Sequence, residues 1–279
     1  MYAGEYKLSF KGHVVFHHST TKVGPFNEVR SLEAPQVTTI YGALAQTASM
    51  MGLDPSILEK TSLTPPTPES SIVRNMLIHT APLSPFDWQP KWVNREGEYA
   101  PLSRVFPRKV FALWRPRYSM SVFAQDDEAR DFVQRSFRLL ADRSDGEVGA
   151  DLGLGYKKKL FGAFDCQSEW SGPLKELNIE NARIVEVLSD CPSRFNNVVP
   201  LQPKIMVLTY RNVHRTRGLP PVVSCSVYAP GSIVLLKEET PMKWYRYRDE
   251  ALGISEMVER RWFGEGEVKA VQGLFLTHG

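Results

Sequence analysis

Residues 35–51, PQVTTIYGALAQTASMM, indicate the fold more clearly than any other stretch of the chain. Their apolar and small side chains recur at the spacing of one helical face, which consists of Ile40, Leu44, Thr47, Ala48 and Met51. This period predicts an α-helix, with Thr38 or Thr39 as its N-cap and Gly52 as its end. The glycine and alanines of the stretch would let the helix lie close to a β-sheet.

Strand patterns surround this helix in the first half of the chain. The predicted strands are residues 6–16, 71–80, 110–114, 118–123 and 161–165. A second helix is predicted at 126–141, with Asp126 or Asp127 as N-cap. Its inner face would consist of Phe132, Val133, Phe137 and Leu140. This order of elements predicts a ferredoxin-like (RRM-like) βαββαβ domain.

The second half of the chain has mostly strand patterns. The predicted strands are residues 182–188, 204–211, 222–228, 232–237 and 268–275. We expect an α+β protein with a ferredoxin-like domain at 1–165 and a strand-rich half at 166–279 packed on it. The second half is compatible with a degenerate copy of the ferredoxin-like unit.

Residues 82–107 differ in composition from both halves. They contain several prolines and two tryptophans, Trp88 and Trp92, but few aliphatic residues. Proline disfavours a regular helix here. We therefore expect an extended loop or hairpin that leaves the core.

The charges are segregated, although the formal net charge is only +3. Residues 100–125 and 191–237 contain no acidic side chain. Their basic residues include Arg108, Lys109, Arg115, Arg117, Arg211, Arg215 and Arg217. This distribution favours one basic surface that binds a polyanion. The alternative is that these side chains protect strand edges from pairing with other chains.

Two loops combine glycines with basic residues. One, within 149–164, contains Lys157, Lys158 and Lys159; the other, within 253–268, contains Arg260 and Arg261. Glycines let a phosphate approach the backbone, and basic side chains supply the countercharge. Each loop leads into a predicted strand, so neither is a Walker loop or a dinucleotide fingerprint. Tight hairpin connections would also explain both.

Three of these motifs resemble those of a known superfamily. Residues 35–44, PQVTTIYGAL, resemble the signature that opens the first helix of RAMP proteins, and the two glycine-basic loops resemble the glycine-rich loop of that superfamily. Ala229-Pro-Gly-Ser232 resembles a Pro-Gly-Ser start of a strand in the Cas-five branch and its type III and type IV counterparts. The chain is thus similar to RAMP subunits of CRISPR effector complexes.

This resemblance implies a non-catalytic, RNA-binding role. The family's Cas-five branch caps the 5′ handle of the guide RNA and contacts a backbone RAMP protein and a large subunit. Residues 82–107 resemble the thumb of these subunits, with Trp88 and Trp92 as its aromatic side chains. The resemblance also places the Lys157–159 loop against RNA. No cofactor is implied.

Two other functions stay open from the residues. Some RAMP proteins cut RNA with a histidine, and cleavage beside a 2′-OH needs a group that titrates near neutrality. His17 and His18, beside Ser19 and Lys22, are the best candidates for a metal-independent endoribonuclease. The third reading is an unrelated α+β scaffold that binds nucleic acid. No metal-ligand spacing is present, so we expect no metal.

The chain has no signal-peptide pattern and no apolar run near the ~20 residues that a membrane helix needs. We expect a soluble, cytoplasmic protein with no membrane partner.

Overall fold

The computed structural model describes residues 1–16, 28–82, 105–144, 163–179, 184–189, 191–192, 198–211, 222–237, 242–255, 261–263, 266–268 and 273–277. In chain order the first elements are β1 (Tyr2–Phe10), β2 (His13–Val14), β3 (Glu28–Arg30), α1 (Val37–Met50), a 3₁₀ helix (Pro55–Lys60), β4 (Thr61–Leu63), β5 (Thr67–Pro68), β6 (Arg74–Pro82), β7 (Val105–Trp114), β8 (Arg117–Ala124), α2 (Asp127–Ser144) and β9 (Phe164–Trp170). The later elements are β10 (Glu176–Leu177), β11 (Ile184–Val187), β12 (Cys191–Pro192), β13 (Val198–Gln202), β14 (Ile205–Arg211), β15 (Val222–Tyr228), β16 (Ile233–Leu236), β17 (Met242–Tyr247), β18 (Glu250–Ser255), β19 (Arg261–Phe263), β20 (Gly266–Val268) and β21 (Gly273–Thr277).

The first sheet has ferredoxin-like strand order. Its path is β4-β8-β1-β9, with the short β5 also paired to β8, and all of these pairs are antiparallel. The two central strands, β1 and β8, are the first and third strands of a βαββαβ unit, and α1 and α2 follow the first and third strands in the chain. The predicted fold class is therefore confirmed.

Alternation along β1 explains which face the helices cover. Tyr6, Leu8 and Phe10 are buried and belong to the main core, whereas Lys7 is exposed and Ser9 is half-buried on the other face. The predicted inner face of α2 is buried in the same core, and so are Ile40, Leu44 and Ala48 of α1. Both helices therefore pack on one face of the sheet.

Two details of α1 differ from the prediction. The N-cap residue is Gln36, not Thr38 or Thr39, and its side chain makes no capping hydrogen bond. The Gln36 amide instead donates from Nε2 to the carbonyl of Val207, at 3.2 Å. A long-range contact to β14 has thus replaced the local cap that the sequence suggested. The helix ends as expected before Gly52, which has φ +70°.

A second sheet consists of the β6–β7 hairpin, which is inserted between the second and third strands of the ferredoxin-like unit, and of β2 and β3, which precede α1. β7 pairs with β2 and β3 along one edge and with β6 along the other. The predicted strands at 71–80 and 110–114 belong to this sheet, and the second strand of the ferredoxin-like unit is β4 instead. The predicted strand 6–16 is also two strands, because the chain passes from the first sheet to the inserted one at Lys11 and Gly12.

Residues 82 and 105 pair with each other at the far end of the β6–β7 hairpin. The two ends of the predicted thumb-like segment 82–107 are thus neighbours, and residues 105–107 belong to β7. Its residues 83–104, including Trp88 and Trp92, lie outside the described residues.

The second half consists of strands in the part that the structure describes. A seven-stranded antiparallel sheet has the order β10-β17-β18-β21-β11-β16-β13, and β12, β15 and β14 form a smaller sheet. The predicted strand 268–275 is divided, since β20 ends at Val268 and β21 begins at Gly273. β9 continues the first sheet to Trp170, past the predicted domain boundary at 165.

The two halves share a core. Ala3 and Phe123 of the first sheet pack with Tyr245, Leu252 and Leu274 of the second half. Beside them, the Tyr247 hydroxyl donates to Glu5 Oε1, and Arg248 makes a 3.1 Å ion pair with the same carboxylate. Burial and the hydrogen bond to Glu5 raise the pKa of Tyr247 to about 12, so this hydroxyl keeps its proton at neutral pH. The first sheet is thereby fixed to the β17–β18 hairpin.

Candidate nucleic-acid interface

The structure describes the predicted RNA-binding residues unevenly. Lys157, Lys158, Lys159, Arg215, Arg217 and Arg260 lie outside the described residues, as do His17, His18, Trp88 and Trp92. Only the backbone is described for Arg108, Lys109, Arg211 and Arg261. Arg115 and Arg117 are described in full, and both are exposed.

The four residues known by their backbone lie on different sheets. Arg108 and Lys109 are on β7, opposite His79 and Ile78 of β6. Arg211 ends β14, and Arg261 begins β19. At ~3.3 Å per strand residue, Lys109 is about 20 Å along the chain from Arg115. Arg108 and Lys109 therefore do not form one compact site with Arg115.

The turn between β7 and β8 contains Arg115, and Arg117 is the first residue of β8. Arg115 has φ +44°, a left-handed backbone conformation that costs a non-glycine residue roughly 1–2 kcal/mol. Its N–H donates to the Gly12 carbonyl at 3.0 Å, and its Nε donates to the Lys11 carbonyl at 3.1 Å. Each such bond contributes about 1 kcal/mol, so the two together offset the strain and fix the side chain.

Two cationic or ionisable groups lie next to Trp114. The Arg115 guanidinium carbon is 4.9 Å from the centre of the indole ring, and the His13 ring centre is 4.4 Å from it. His13 and Trp114 are directly opposite in the β2–β7 ladder. Asn75 adds an amide, with Nδ2 3.2 Å from His13 Nε2. We call His13, Asn75, Trp114 and Arg115 the stacking cluster.

The Trp114 side chain is not part of the hydrophobic core. Its side chain is 38% exposed, whereas Trp244 is 6% exposed and packs in the second half. Trp170 is half-buried, and its Nε1 donates to the Tyr6 hydroxyl at 3.1 Å. Among the tryptophans whose side chains the structure describes, Trp114 is thus the exposed one. An exposed indole beside a guanidinium is typical of binding surfaces.

A basic corner adjoins the stacking cluster. Arg117 lies opposite Ser9 on the first sheet, on the face away from the helices, with Lys7 two residues further along β1. Within the described ranges, neither Arg115 nor Arg117 has a carboxylate at ion-pair distance. Lys11 differs, because it makes a 3.0 Å ion pair with Asp165.

At the other end of the same sheet face, the side chains are acidic and partly covered by the second half of the chain. Glu5 lies opposite Glu169, and the Tyr247 and Arg248 side chains cover Glu5. RRM domains stack bases on aromatic side chains of this face. Among the described positions of β1, β8 and β9 on this face, none carries an exposed aromatic ring, and the basic side chains lie at the end with Arg117.

The predicted start of the second glycine-basic loop is part of a strand instead of a loop. Gly253 lies inside β18, opposite Trp244, and a Cβ there would be 2.7 Å from the Trp244 ring. Gly4 and Trp170 repeat this arrangement in the first sheet, with a 2.6 Å approach. These glycines make room for a cross-strand indole rather than for a phosphate.

The Pro-Gly-Ser motif has a structural role in the described chain. Gly231 has φ +79°, and Ser232 is buried. The Ser232 hydroxyl accepts from the Lys204 N–H at 2.9 Å, which ties the start of β14 to the start of β16. The motif thus fixes a strand crossing in the second half.

The sequence reasoning did not select His13 and Asn75. Both are unremarkable in their local sequence, and only the pairing of β2 and β6 with β7 brings them to Trp114. A histidine directly after the glycine that ends an alternating strand was the available signal.

Among the described residues, no three His, Cys, Asp or Glu side chains come close enough together to ligate a metal ion. The described helices include none with the length and hydropathy of a membrane span. Burial raises the pKa of the Cys166 thiol to about 12, so this cysteine is a poor nucleophile.

No protein-family model and no curated protein sequence matches the chain. Among solved structures, the crystal structure of the Csm3-Csm4 subcomplex in the type III-A CRISPR-Cas interference complex contains a similar chain, with a TM-score of 0.50, 10% identity and coverage of 100% of both chains. Two further structures contain chains that are less similar in shape. One is the type III-B Cmr-beta complex bound to cognate target RNA and AMPPnP, with a TM-score of 0.43, 10% identity and coverage of 83% of this chain and 86% of that chain. The other is a CRISPR RNA-guided surveillance complex, with a TM-score of 0.41, 13% identity and coverage of 83% of this chain and 91% of that chain. At this identity the first likeness establishes the fold alone: the chain has the fold of a chain of the Csm3-Csm4 subcomplex.

Proposed function

We propose that the chain is a non-catalytic, RNA-binding subunit of a cytoplasmic CRISPR ribonucleoprotein effector complex, and that it caps the 5′ handle of the guide RNA. The observation that carries this proposal is the exposed Trp114 beside Arg115 and Arg117, on a chain with this fold. The two arginines supply charge for phosphates, and the rings supply stacking surface.

The proposal assigns the remaining parts of the chain to partners. The loop with Lys157, Lys158 and Lys159 contacts guide-RNA phosphates. The thumb-like segment 82–107, with Trp88 and Trp92, contacts either RNA bases or an adjacent subunit. The subunits in question are a backbone RAMP protein and a large subunit.

The test uses purified protein and labelled repeat RNA with a defined 5′ end, in buffer with a chelator. We expect a shifted band on a native gel and intact RNA on a denaturing gel. Replacement of Lys157, Lys158 and Lys159 by Gln should weaken binding and flatten its dependence on salt, because fewer counterions are released. DNA of the same sequence is the control ligand.

Two outcomes would contradict the proposal. A specific cut without metal would instead support the endoribonuclease, and it should then disappear in a variant with His17→Ala and His18→Ala. Absence of RNA binding at all salt concentrations would leave the α+β scaffold as the better description.

A further inference from the structure

The stacking cluster has a geometry that suits one planar ligand. Its members come from β2, β6, the end of β7 and the β7–β8 turn. His13 and Arg115 each lie within 5 Å of the centre of the exposed Trp114 ring, the His13 ring is tilted 49° from the indole, and Asn75 contacts His13. A flat group on the exposed part of the indole would lie beside these neighbouring π and cationic groups.

The cluster is held in place before any ligand arrives. The backbone N–H of Trp114 donates to the Val73 carbonyl at 2.9 Å. Arg115 donates from its backbone N–H to the Gly12 carbonyl and from its Nε to the Lys11 carbonyl. The Nε of Arg115 is used by this contact, while the guanidinium lies over the ring. A rigid aromatic–cation platform loses little conformational freedom when it binds, which favours affinity.

Net charge alone does not explain the cluster. Glu69 is a neighbour of Arg117, since its N–H donates to the Arg117 carbonyl at 3.0 Å, and Asp165 is paired with Lys11. These carboxylates reduce the local positive charge. Phosphate binding alone would not need an exposed aromatic ring, so it does not explain the exposed indole of Trp114.

The surrounding chemistry favours a nucleobase over a protein side chain. Asn75 carries both a hydrogen-bond donor and an acceptor, which can pair with the edge of a base. Lys7 and Arg117 lie on the adjoining sheet face, where phosphates on either side of a stacked base would need countercharge.

We infer that the stacking cluster of His13, Asn75, Trp114 and Arg115 holds one unpaired nucleobase of the bound RNA by stacking on the exposed indole or on the guanidinium that covers it. This inference rests on the proposed RNA-binding function and identifies one contact within it. The base is splayed from its neighbours, whose phosphates contact Arg117 and Lys7.

The experiment measures the affinity of the full chain for the guide-derived RNA and for copies with a single abasic ribose at each position in turn. We expect one position where removal of the base weakens binding about 5- to 150-fold, as the loss of one stacked base predicts. In Trp114→Ala the intact RNA should lose a similar factor, and the abasic copy should lose almost nothing more. Trp114→Phe, which keeps a ring, should restore most of the affinity.

The control variant is Arg138→Gln, which removes an exposed charge from α2 away from the cluster. It should change affinity little and leave the abasic profile intact. Circular dichroism of every variant checks that it is folded.

Three results separate the possibilities. If the wild-type chain binds RNA but Trp114→Ala and the abasic copies bind equally well, the stacking inference is wrong while the proposed function stands. If Trp114→Ala instead loses only its binding to a partner subunit, the cluster is a protein contact and the inference is also wrong. If the wild-type chain binds no RNA, both the proposed function and the inference that rests on it are wrong.

Discussion

Arg115 and Gly231 both have left-handed backbone conformations, with φ +44° and +79°. The chain uses them differently. Arg115 keeps a side chain despite the strain, and that side chain covers Trp114 at the surface. Gly231 has no side chain, and its N–H donates to the Val187 carbonyl at 2.8 Å within the second half. The positive φ of Arg115 accompanies an exposed side chain beside Trp114, whereas the positive φ of Arg248 (+55°) accompanies its ion pair with Glu5, and Gly231 makes a structural turn.

Gly231→Ala should therefore lower the stability of the protein. The left-handed φ costs alanine about 1 kcal/mol relative to glycine. The added Cβ would also be 2.6 Å from Lys204 Nζ, although that flexible amine can move away. Gly172→Ala is the matched control, because its Cβ would meet nothing within 4 Å and its φ is not left-handed. Urea denaturation measures both; equal midpoints for the two variants would show that the turn is not strained.

The helices illustrate what local sequence determines. α2 was predicted within a few residues, and its inner face and Asp126 cap are confirmed: Asp126 Oδ1 accepts from the Ala129 N–H at 2.9 Å. Helical period and capping are properties of neighbouring residues, so a sequence reveals them directly. α1 was predicted equally well, except that its N-cap residue contacts β14 instead of its own helix.

Strand partners were harder to predict, because pairing depends on residues far apart in sequence. The strands at 71–80 and 110–114 were expected in the first sheet but form the inserted one. The same reason explains the candidate site. Arg115 and Arg117 were selected from the charge pattern, whereas the exposed Trp114 and its neighbours His13 and Asn75 required the fold, including the register of β2 and β6 with β7.

Asp126→Ala should destabilise α2. The loss of an N-cap acceptor costs about 1 kcal/mol, and the ion pair between Asp126 and Lys60 adds little at this exposure. Asp126→Asn retains a capping oxygen and should be less destabilising than Asp126→Ala. The measurement is chemical denaturation, and the reverse order of the two variants would contradict the capping role.

The pH dependence of this site has a definite sign. Burial acts to raise the pKa of Asp126, but the Ala129 N–H and Lys60 outweigh it, and the pKa is lowered overall. A lowered pKa means that the carboxylate stabilises the folded state above its ordinary pKa, and that this stability is lost as pH falls through the lowered value. The stability difference between wild type and Asp126→Asn should thus shrink in acid.

At the scale of the whole molecule, a ferredoxin-like sheet and a seven-stranded sheet share one core, and the Glu5–Tyr247–Arg248 contacts join them at one end of the first sheet. The opposite end of that sheet leads to the β7–β8 turn, where Trp114, Arg115 and Arg117 are exposed. One end of the molecule is therefore used for internal packing, which leaves the other available for RNA.

The most direct test of the central claim is to isolate the tagged chain from its native cells, extract the RNA that accompanies it, and map the 5′ ends. A subunit that caps the guide should enrich repeat-derived RNAs that share one 5′ end and carry the same handle. An untagged strain is the control for background RNA. Recovery of no RNA above that background, or of RNAs with unrelated 5′ ends, would contradict the account.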